Sequence, residues 1–212
     1  GPEVLSGVDL SLEPGSFTFL TGEAGAGKST LLKLCYLNLK PSRGLMHLFG
    51  EDLSSLKPAQ LQILRRRIGV VLQDFRLIDH LSVWENVALP LRGAGMIRAD
   101  YRPDVDELLN WVGLGHRMQA LPPTLSGGEK QRCAIARAVI NKPDLLIADD
   151  PTGNVDPDMG ARLLRLLSEM NRMGTTVLIA THDLALIEEI SARTVHLNNG
   201  VIGDGLGPFG AS

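Results

Sequence analysis

The chain has 212 residues, of which 44% are hydrophobic and only 4% aromatic, and its net charge is −3. This length supports one substantial core, and an aliphatic interior suits a parallel sheet that is covered by helices. The small negative charge gives no general attraction to nucleic acid or anionic lipid, so we expect neither as a partner. The one basic run, Arg65–Arg67, is interpreted as a solvated helix face.

The two cysteines, Cys35 and Cys133, are interpreted as buried thiols of a cytosolic protein, because no metal-ligand spacing surrounds them. No apolar stretch approaches the roughly 18–20 residues of a membrane span, and no signal peptide is evident. Any membrane contact is therefore expected to come through a partner, without insertion of this chain. Gly1 and Pro2 resemble a remnant of tag cleavage, so we expect the sequence to start partway into the natural protein.

Strand-like and helix-like patterns alternate along the first third of the chain. Pro41–Gly44 is expected to end the first helix, because proline cannot continue a helix and glycine supplies a turn. The predicted elements are a strand at Ser16–Thr21, a helix from about Lys28 to Leu39, a short strand at Leu45–Phe49, a helix at Ala59–Arg66 and a buried strand at Ile68–Leu72.

From Asp74 to about Leu125 helical patterns replace the β-branched runs, which predicts an inserted α-helical subdomain over approximately residues 74–126. Alternation then resumes, and Asn199-Gly200 between two apolar runs predicts a hairpin. The predicted elements are helices at Val83–Leu91, Val105–Val112, Gly128–Ile140, Pro157–Met173 and Asp183–Ile190, and strands at Asp144–Ala148, Thr175–Ala180, Val195–Leu197 and Val201–Ile202. This alternation predicts one α/β domain over residues 1–212.

A glycine-rich loop between the first strand and the first helix fits the pattern G-x-x-x-x-G-K-[ST]. Glycines let the backbone turn its N–H groups toward phosphate oxygens, and the helix start adds the positive end of its dipole. Lys28 supplies a cation for the β- and γ-phosphates, and Ser29 offers a hydroxyl to Mg²⁺. The residues predicted to bind nucleotide are Gly22, Glu23, Ala24, Gly25, Ala26, Gly27, Lys28, Ser29 and Thr30.

Two further features fit a phosphate site. Asp149 ends an apolar strand, and although such an aspartate is often a turn former, beside a phosphate loop it is predicted to partner Mg²⁺. Ser126 and Glu129 form a capping-box pattern, and Gly127 and Gly128 expose N–H groups at the same helix start. One chain thus has two anion sites but one complete nucleotide pocket. The simplest arrangement is two chains, head to tail, each offering this helix start to the other's nucleotide.

In the order of these motifs, the sequence resembles the ATP-binding-cassette ATPases over nearly its whole length. The motifs are Walker A at Gly22–Thr30, the Q-loop at Gln73, the signature at Ser126–Glu129, Walker B at Asp149-Asp150, the D-loop at Gly153–Asp156 and the switch histidine at His182. The resemblance implies an α/β fold with a P-loop NTPase (RecA-like) core and an inserted α-helical subdomain. It also implies ATP and Mg²⁺ as cofactors and a homodimer in the ATP state.

The resemblance also assigns roles to individual residues. Gln73 is expected to touch the metal or the attacking water, and His182 to hydrogen-bond the γ-phosphate. The implied catalytic residues are Lys28, Gln73, Asp150 and His182, the implied metal ligands are Ser29, Gln73 and Asp149, and Ser126, Gly127, Gly128 and Asp156 join the phosphate loop in binding nucleotide.

Finer features are similar to the FtsE branch of the family, the bacterial cell-division ATPases. They are Gln73–Ile78, Ser82–Ala88 and Ala136–Pro143. This similarity implies peripheral attachment at the cytoplasmic side of the bacterial inner membrane, through an integral membrane partner resembling FtsX. A partner groove is expected near Gln73, with Phe75 and Trp84 as its best anchors. Much of the wider candidate set could equally form the core of the subdomain. This set is Phe75, Leu77, Ile78, Leu81, Val83, Trp84 and Val87.

The sequence departs from the family in two places. Asp150 stands where the family usually has a glutamate that orients or deprotonates water, and aspartate reaches roughly 1.5 Å less far. We therefore expect slow hydrolysis and a long-lived ATP-bound dimer. The family also stacks adenine on an aromatic residue of an earlier strand, which this chain is expected to lack, because Phe17 lies too close to the loop. We therefore expect this chain to bind ATP more weakly than an N-terminally extended chain does.

Three alternatives accompany this interpretation. Pro151–Asp156 is also similar to the ATPases of lipoprotein-release and macrolide-export systems. Asp150 is also compatible with a switch that binds ATP and dimerises without hydrolysis. Chromosome and DNA-repair ATPases share the signature, but they insert long coiled coils between Q-loop and signature. The 53 positions that separate Gln73 from Ser126 leave no room for one.

Overall fold

The computed structural model describes residues 3–204, so Gly1 and Pro2, interpreted as a tag remnant, lie outside the described residues. The strands are β1 (Phe17–Thr21), β2 (His47–Leu48), β3 (Glu51–Asp52), β4 (Ile68–Val71), β5 (Leu145–Asp149), β6 (Thr176–Ala180), β7 (Arg193–Asn198) and β8 (Val201–Asp204). The helices are α1 (Lys28–Cys35), α2 (Pro58–Arg65), α3 (Val83–Gly93), α4 (Arg98–Trp111), α5 (Gly127–Val139), α6 (Pro157–Arg172) and α7 (Leu184–Glu189).

The main sheet has the order β4-β5-β6-β1-β7-β8, and β2 and β3 form a separate two-stranded hairpin. In the main sheet, strands β4, β5, β6, β1 and β7 are parallel, and β8 runs antiparallel to β7. In the register, Phe19 of β1 lies opposite Ile179 of β6 and Thr194 of β7. All the parallel strands therefore end at one edge of the sheet, where the loops that follow them lie side by side.

Alternate residues of the central strands enter two different cores, as expected for a sheet covered on both faces. Phe19 and Leu146 belong to the core that α3, α4, α5 and α6 complete. Leu20 and Ile147 belong to the core on the other face, which α1 and the apolar side chains of residues 5–12 complete. All four side chains are fully buried. The aliphatic runs of the sequence are thus explained by two-sided burial.

Helix α5 lies unusually close to the edge strand β4. A Cβ atom on Gly69 would lie 2.2 Å from the carbonyl oxygen of Ala138. Real Cβ atoms do not approach a carbonyl so closely, so glycine permits this contact of helix and strand.

The predicted insertion is present as a helical stretch between β4 and α5. Residues 74–126 hold α3, α4 and two short 3₁₀ turns, and α3 and α4 pack against α5. The α/β fold with an inserted helical subdomain is confirmed, whereas the subdomain bounds at residues 74 and 126 stay a prediction. Among the described helices, none combines the length and the apolar character needed to cross a bilayer.

Helix α1 ends at Cys35, four residues before the predicted end at Leu39. Leu37 adopts a left-handed conformation with φ 66°. Its N–H donates to the carbonyl of Leu34, and the N–H of Asn38 donates to that of Lys33, which closes a Schellman motif. Glycine usually occupies the left-handed position, so a leucine there gave no signal of the helix end.

Three other predictions need correction. The predicted strand Leu45–Phe49 is a two-residue strand that pairs with β3 across a tight turn at Phe49-Gly50, where both φ values are positive. Helix α4 begins at Arg98, seven residues before the predicted Val105, because its polar first half carries no apolar stripe. Cys133 is buried as predicted, but Cys35 is only half-buried. Burial still raises the pKa of each thiol to about 12.

The predicted partner anchor Trp84 is a core residue. Its side chain is buried in the core that α3 shares with α5, and its indole Nε1 donates to Asp106 Oδ1 at 2.7 Å. Val83 and Val87 are fully buried beside it. The alternative that these residues form subdomain core is confirmed, and the prediction that Trp84 presents itself to a partner is wrong. Phe75 is half-buried and stays a candidate.

Candidate functional site

The predicted site residues gather at the carboxyl edge of the sheet. The phosphate loop follows β1, Gln73 follows β4, Asp149 ends β5 and His182 follows β6. These four strands are parallel and mutual neighbours in the order β4-β5-β6-β1. Because ligands bind outside the carboxyl ends of strands in open α/β sheets, this edge is where a nucleotide site is expected.

The phosphate loop turns back on itself between β1 and α1. Gly25 and Gly27 have φ values of 80° and 103°, in the left-handed region that other residues avoid. Helix α1 begins at Lys28 with Gly27 as its N-cap, and no side chain caps its first turn. The N–H groups at the start of this helix are therefore available to an anion.

The Lys28 ammonium lies in the mouth of this loop. Its Nζ donates to the carbonyl oxygen of Gly22 and lies 3.0 Å from His182 Nε2. Partial burial lowers the pKa of Lys28, and the carboxylates of Asp149 and Asp150 oppose that shift. Lys28, at the start of α1, and His182, after β6, therefore lie side by side at the mouth of the phosphate loop.

Asp149 carries the opposite perturbation. Burial raises the pKa of its carboxyl group above the usual value, and the negative charge of Asp150 raises it further. Lys28 and His182 both oppose this shift. Two carboxylates at the end of β5 therefore compete for a small number of positive charges, a state that a cation would relieve.

Asp150 stands in a strained turn. Its φ is 48°, which is uncommon for any residue except glycine but is tolerated best by aspartate and asparagine. The backbone N–H of Asp150 donates to Ala180 O at 2.8 Å, and its carbonyl accepts from Gln131 Nε2 at 2.9 Å. A Cβ atom on Gly153 would lie 2.5 Å from Asp150 Oδ2. Glycine at position 153 therefore leaves room for this carboxylate.

The second predicted anion site is the start of α5. Ser126 caps the helix by accepting from the N–H of Glu129 at 3.1 Å, and Glu129 Oε1 accepts from the N–H of Ser126 at 2.9 Å. Hydrogen bonding by the Ser126 backbone lowers the pKa of Glu129, and Arg117 Nε lies 3.3 Å from its other oxygen. Ser126 and Gly127 are exposed. The predicted capping box is present, and the first residues of the helix face solvent.

Comparison with known proteins places this geometry in a family. A family profile described as "ABC transporter" matches residues 5–153. The chain belongs to the ABC transporter family.

Its relatives include cell-division ATP-binding proteins named FtsE. The protein of Escherichia coli K12 is 46% identical over 207 residues, which cover 98% of this chain and 93% of that protein. The protein of Bacillus subtilis 168 is 41% identical over 202 residues, or 95% of this chain and 89% of that one. The similarity suggested by the sequence motifs is confirmed.

Solved structures agree on the fold. A dimeric post-hydrolysis structure of the ATP-binding cassette MJ0796 bound to ADP and Pi has a TM-score of 0.88 with 34% identity. The superposition covers 94% of this chain and 88% of that one. A second dimeric structure of the same bacterial ABC transporter cassette has the same TM-score with 35% identity.

The residues present fit a magnesium ion that arrives with nucleotide. Magnesium is usually held by one or two carboxylates together with phosphate oxygens and waters, not by a full protein cage. Within residues 3–204, no group of three or more histidine, cysteine, aspartate or glutamate residues forms such a cage. Ser29, Asp149 and the amide of Gln73 stay the predicted protein donors, and the acidic pair at the end of β5 suits a divalent cation.

The structure brings most of the predicted ABC motifs together, but not all. Lys28 of the phosphate loop contacts His182, and the charges of Asp149 and Asp150 act on its ammonium group, while exposed Gln73 follows β4 at the same edge. In the described part of the chain, no hydrogen bond joins the start of α5 to the phosphate loop. Asp156 caps α6 by accepting from the N–H of Met159 at 3.0 Å. Its role in nucleotide binding stays a prediction.

Sequence reasoning missed the contacts between α5 and the turns of the site. Gln131 and Arg137 of α5 and Asn154 of the D-loop make side-chain or backbone contacts there that no motif predicts. A glutamine and an arginine inside an amphipathic helix are usually solvent-facing, so no local pattern marks these two as part of the site. Its burial, with the side chain 2% exposed, and its two hydrogen bonds identify Gln131 as a structural element of the site.

Proposed function

We propose that this chain is the ATP-binding and ATP-hydrolysing subunit of an FtsEX-like complex, which regulates cell-wall hydrolysis in bacterial division. The observation that carries the proposal is the gathering of Lys28, Asp149, Asp150 and His182 at the carboxyl edge of the sheet. The relatives named FtsE, at 41–46% identity over nearly the whole chain, supply the biological setting.

The residues divide the work of phosphoryl transfer to water. Lys28 and the loop amides hold the β- and γ-phosphates, and His182 donates to the γ-phosphate. Asp150 orients the attacking water and accepts its proton. When Mg²⁺ is bound at Ser29, Gln73 and Asp149, it neutralises charge on the phosphates. Positioning and charge stabilisation account for nearly all of the catalysis in such a site.

The complete site needs two copies of the chain. The start of α5, which is exposed at Ser126 and Gly127, offers N–H groups and a helix dipole to an anion, but the phosphate loop of the same chain is not its hydrogen-bond partner. In an ATP-bound homodimer, each helix start closes over the γ-phosphate held by the other copy. The dimeric cassette structures of MJ0796 support this arrangement by similarity.

The output of the cycle is movement of a membrane protein. The complex sits at the cytoplasmic side of the bacterial inner membrane, and the integral partner resembles FtsX. Phe75, which is half-buried and lies two residues after Gln73, is the remaining aromatic candidate for this contact. The helical subdomain then transmits the closing and opening movement of the dimer to the membrane partner.

A hydrolysis assay with a membrane pull-down tests the proposal. Purified protein is expected to release phosphate from ATP with magnesium, and Lys28→Ala to abolish this release. The tagged protein is expected to co-purify from bacterial membranes with an FtsX-like protein. Capture of a lipoprotein-release or macrolide-export permease instead would overturn the division role.

A hydrolysis-free switch is the second candidate, because aspartate at position 150 shortens the reach of the base. Phosphate release measured beside ATP-induced dimerisation separates the two candidates. Dimerisation with no phosphate release, even in a single-turnover experiment, would make the chain a switch and not a motor.

A further inference from the structure

Two turns of the site hold non-glycine residues in left-handed backbone conformations. Phe75 and Arg76, just after Gln73, have φ values of 57° and 48°, and Asp150 has a φ of 48°. Such conformations cost free energy for residues with a Cβ atom, so they persist only where the surroundings hold them. The contacts that hold these turns therefore control where Gln73 and Asp150 lie.

Gln131 of α5 holds the turn that carries Asp150. Its side chain is 2% exposed, and both ends of its amide are used. Nε2 donates to the carbonyl of Asp150 at 2.9 Å, and Oε1 accepts from the N–H of Asn154 at 3.0 Å. One buried amide thus bridges residues 150 and 154 across the turn. Because both partners are backbone groups, the bridge fixes the path of the turn itself.

Arg137 of the same helix holds the turn that follows Gln73. One of its terminal nitrogens donates to the carbonyl of Phe75 at 2.7 Å, and the other donates to that of Arg76 at 2.9 Å. These are the two residues with positive φ in that turn. A planar guanidinium with two parallel donors is well suited to fixing two successive carbonyls.

Helix α5 carries the third element as well. It starts at Ser126–Gly128, and a Cβ atom on Gly128 would lie 2.9 Å from the carbonyl oxygen of Asn154. The helix start therefore packs against the same turn that Gln131 bridges. Residues 131 and 137 are about 9 Å apart along the helix axis, so one rigid rod reaches both turns and the exposed start.

We propose that Gln131 and Arg137 are positioning residues that link the start of α5 to Gln73 and Asp150. The inference rests on the proposed function, in which the helix start grips the nucleotide of the second copy. When the start of α5 binds the nucleotide of the second copy, a shift of the helix moves both turns together. The groups that place water and metal for hydrolysis are therefore in position only in the dimer. Neither side chain needs to touch nucleotide for this role.

The test compares Gln131→Met and Arg137→Lys with the control Asn171→Leu. Methionine keeps the length of Gln131 but removes both hydrogen bonds, and lysine keeps the charge of Arg137 but loses the paired donors. Asn171 makes the same kind of contact elsewhere, because its amide donates to the carbonyls of Gly15, Ser16 and Thr175 at 2.9–3.1 Å. These partners lie at the amino ends of β1 and β6, away from the site.

The measurements are single-turnover phosphate release, ATP affinity, ATP-induced dimerisation and melting temperature. We expect Gln131→Met to slow phosphate release by roughly tenfold to a hundredfold, because a misplacement of about 1 Å can cost a hundredfold. Arg137→Lys is expected to slow it by about tenfold. ATP affinity and dimerisation should stay within threefold of the parent for both variants. Asn171→Leu should lower the melting temperature to a similar extent yet leave phosphate release unchanged.

Two outcomes would overturn the inference. One is phosphate release by Gln131→Met and Arg137→Lys that is no slower than that of the control. The other is a loss of ATP affinity as large as the loss of rate, since that pattern marks general damage to the site. If Gln131→Met is too unstable to measure, Arg137→Lys decides alone. An inactive parent protein would instead refute the proposed function, so the two failures are distinguishable.

Discussion

Replacement of Asp150 by glutamate tests the chemistry of the site most directly. The Asp150 carboxylate is packed against Gly153, and its backbone is fixed by bonds from both Gln131 and its own N–H. The turn therefore cannot move toward the nucleotide to make up for a short side chain. One added methylene extends the reach by roughly 1.5 Å. Because a positioned base contributes about 10²–10⁴-fold, we expect Asp150→Glu to hydrolyse ATP about 10 to 100 times faster.

The same change should cost stability. Aspartate tolerates a φ of 48° better than glutamate does, because its short polar side chain can satisfy local backbone groups. We expect a loss of about 1 kcal/mol, which corresponds to a melting temperature about 2–4 °C lower in a domain of this size. Aspartate at this position is thus explained in part by the local turn, independently of catalysis.

The assay is single-turnover phosphate release with saturating ATP and magnesium. A tenfold to hundredfold gain corresponds to about 1.4–2.7 kcal/mol of lowered activation free energy. Asp150→Asn is the matched control, because it keeps the side-chain shape and the tolerance of positive φ but removes the base, and it should be slower than the parent. If Asp150→Glu is no faster than the parent, or if Asp150→Asn is equally fast, the argument from reach is refuted.

Three further variants test other parts of the site and fold. Gly153→Ala should displace the Asp150 carboxylate and slow phosphate release about a hundredfold with ATP affinity retained, whereas Gly93→Ala, with open space around it, should change neither. Burial raises the pKa of folded Asp149, so stability from this group falls as pH rises through that pKa. Asp149→Asn should therefore melt higher than the parent at about pH 7.5 and lose that advantage near pH 4 in melts across pH. Gly69→Ala should lose about 1–3 kcal/mol in urea unfolding, because its Cβ would meet a carbonyl of α5.

The parallel strands and their loops were predictable because their signals are local. Buried strands such as β5 and β6 are short aliphatic runs, and each is placed within one residue of its prediction. Asn199-Gly200 predicted the β7–β8 hairpin, and the structure has both residues at positive φ. The phosphate loop could be predicted from its glycines, its lysine and the strand and helix beside it. Such features depend on neighbours in sequence.

The parts that were missed depend on contacts between distant segments. The end of α1 at a left-handed leucine, and the polar first half of α4, follow from how those segments pack and not from their own composition. Trp84 was predicted at a surface because aromatic residues anchor interfaces, but α3 turns it into the core. The bridge from Gln131 to Asp150 joins positions 19 residues apart, and no local pattern marks it.

The strained turns of the site and the motif at the start of α5 are linked, because side chains of α5 hold these turns. Each left-handed non-glycine residue costs of order 1–3 kcal/mol unless its surroundings favour it, and the site has three of them: Phe75 and Arg76 after Gln73, and Asp150 itself. Side chains from α5 bond to the carbonyls of all three. In the proposed dimer, the helix that offers an anion site to the second copy also holds the strained turns, so the geometry of these turns depends on the position of the helix. Hydrolysis can then respond to dimer formation without any change within the phosphate loop.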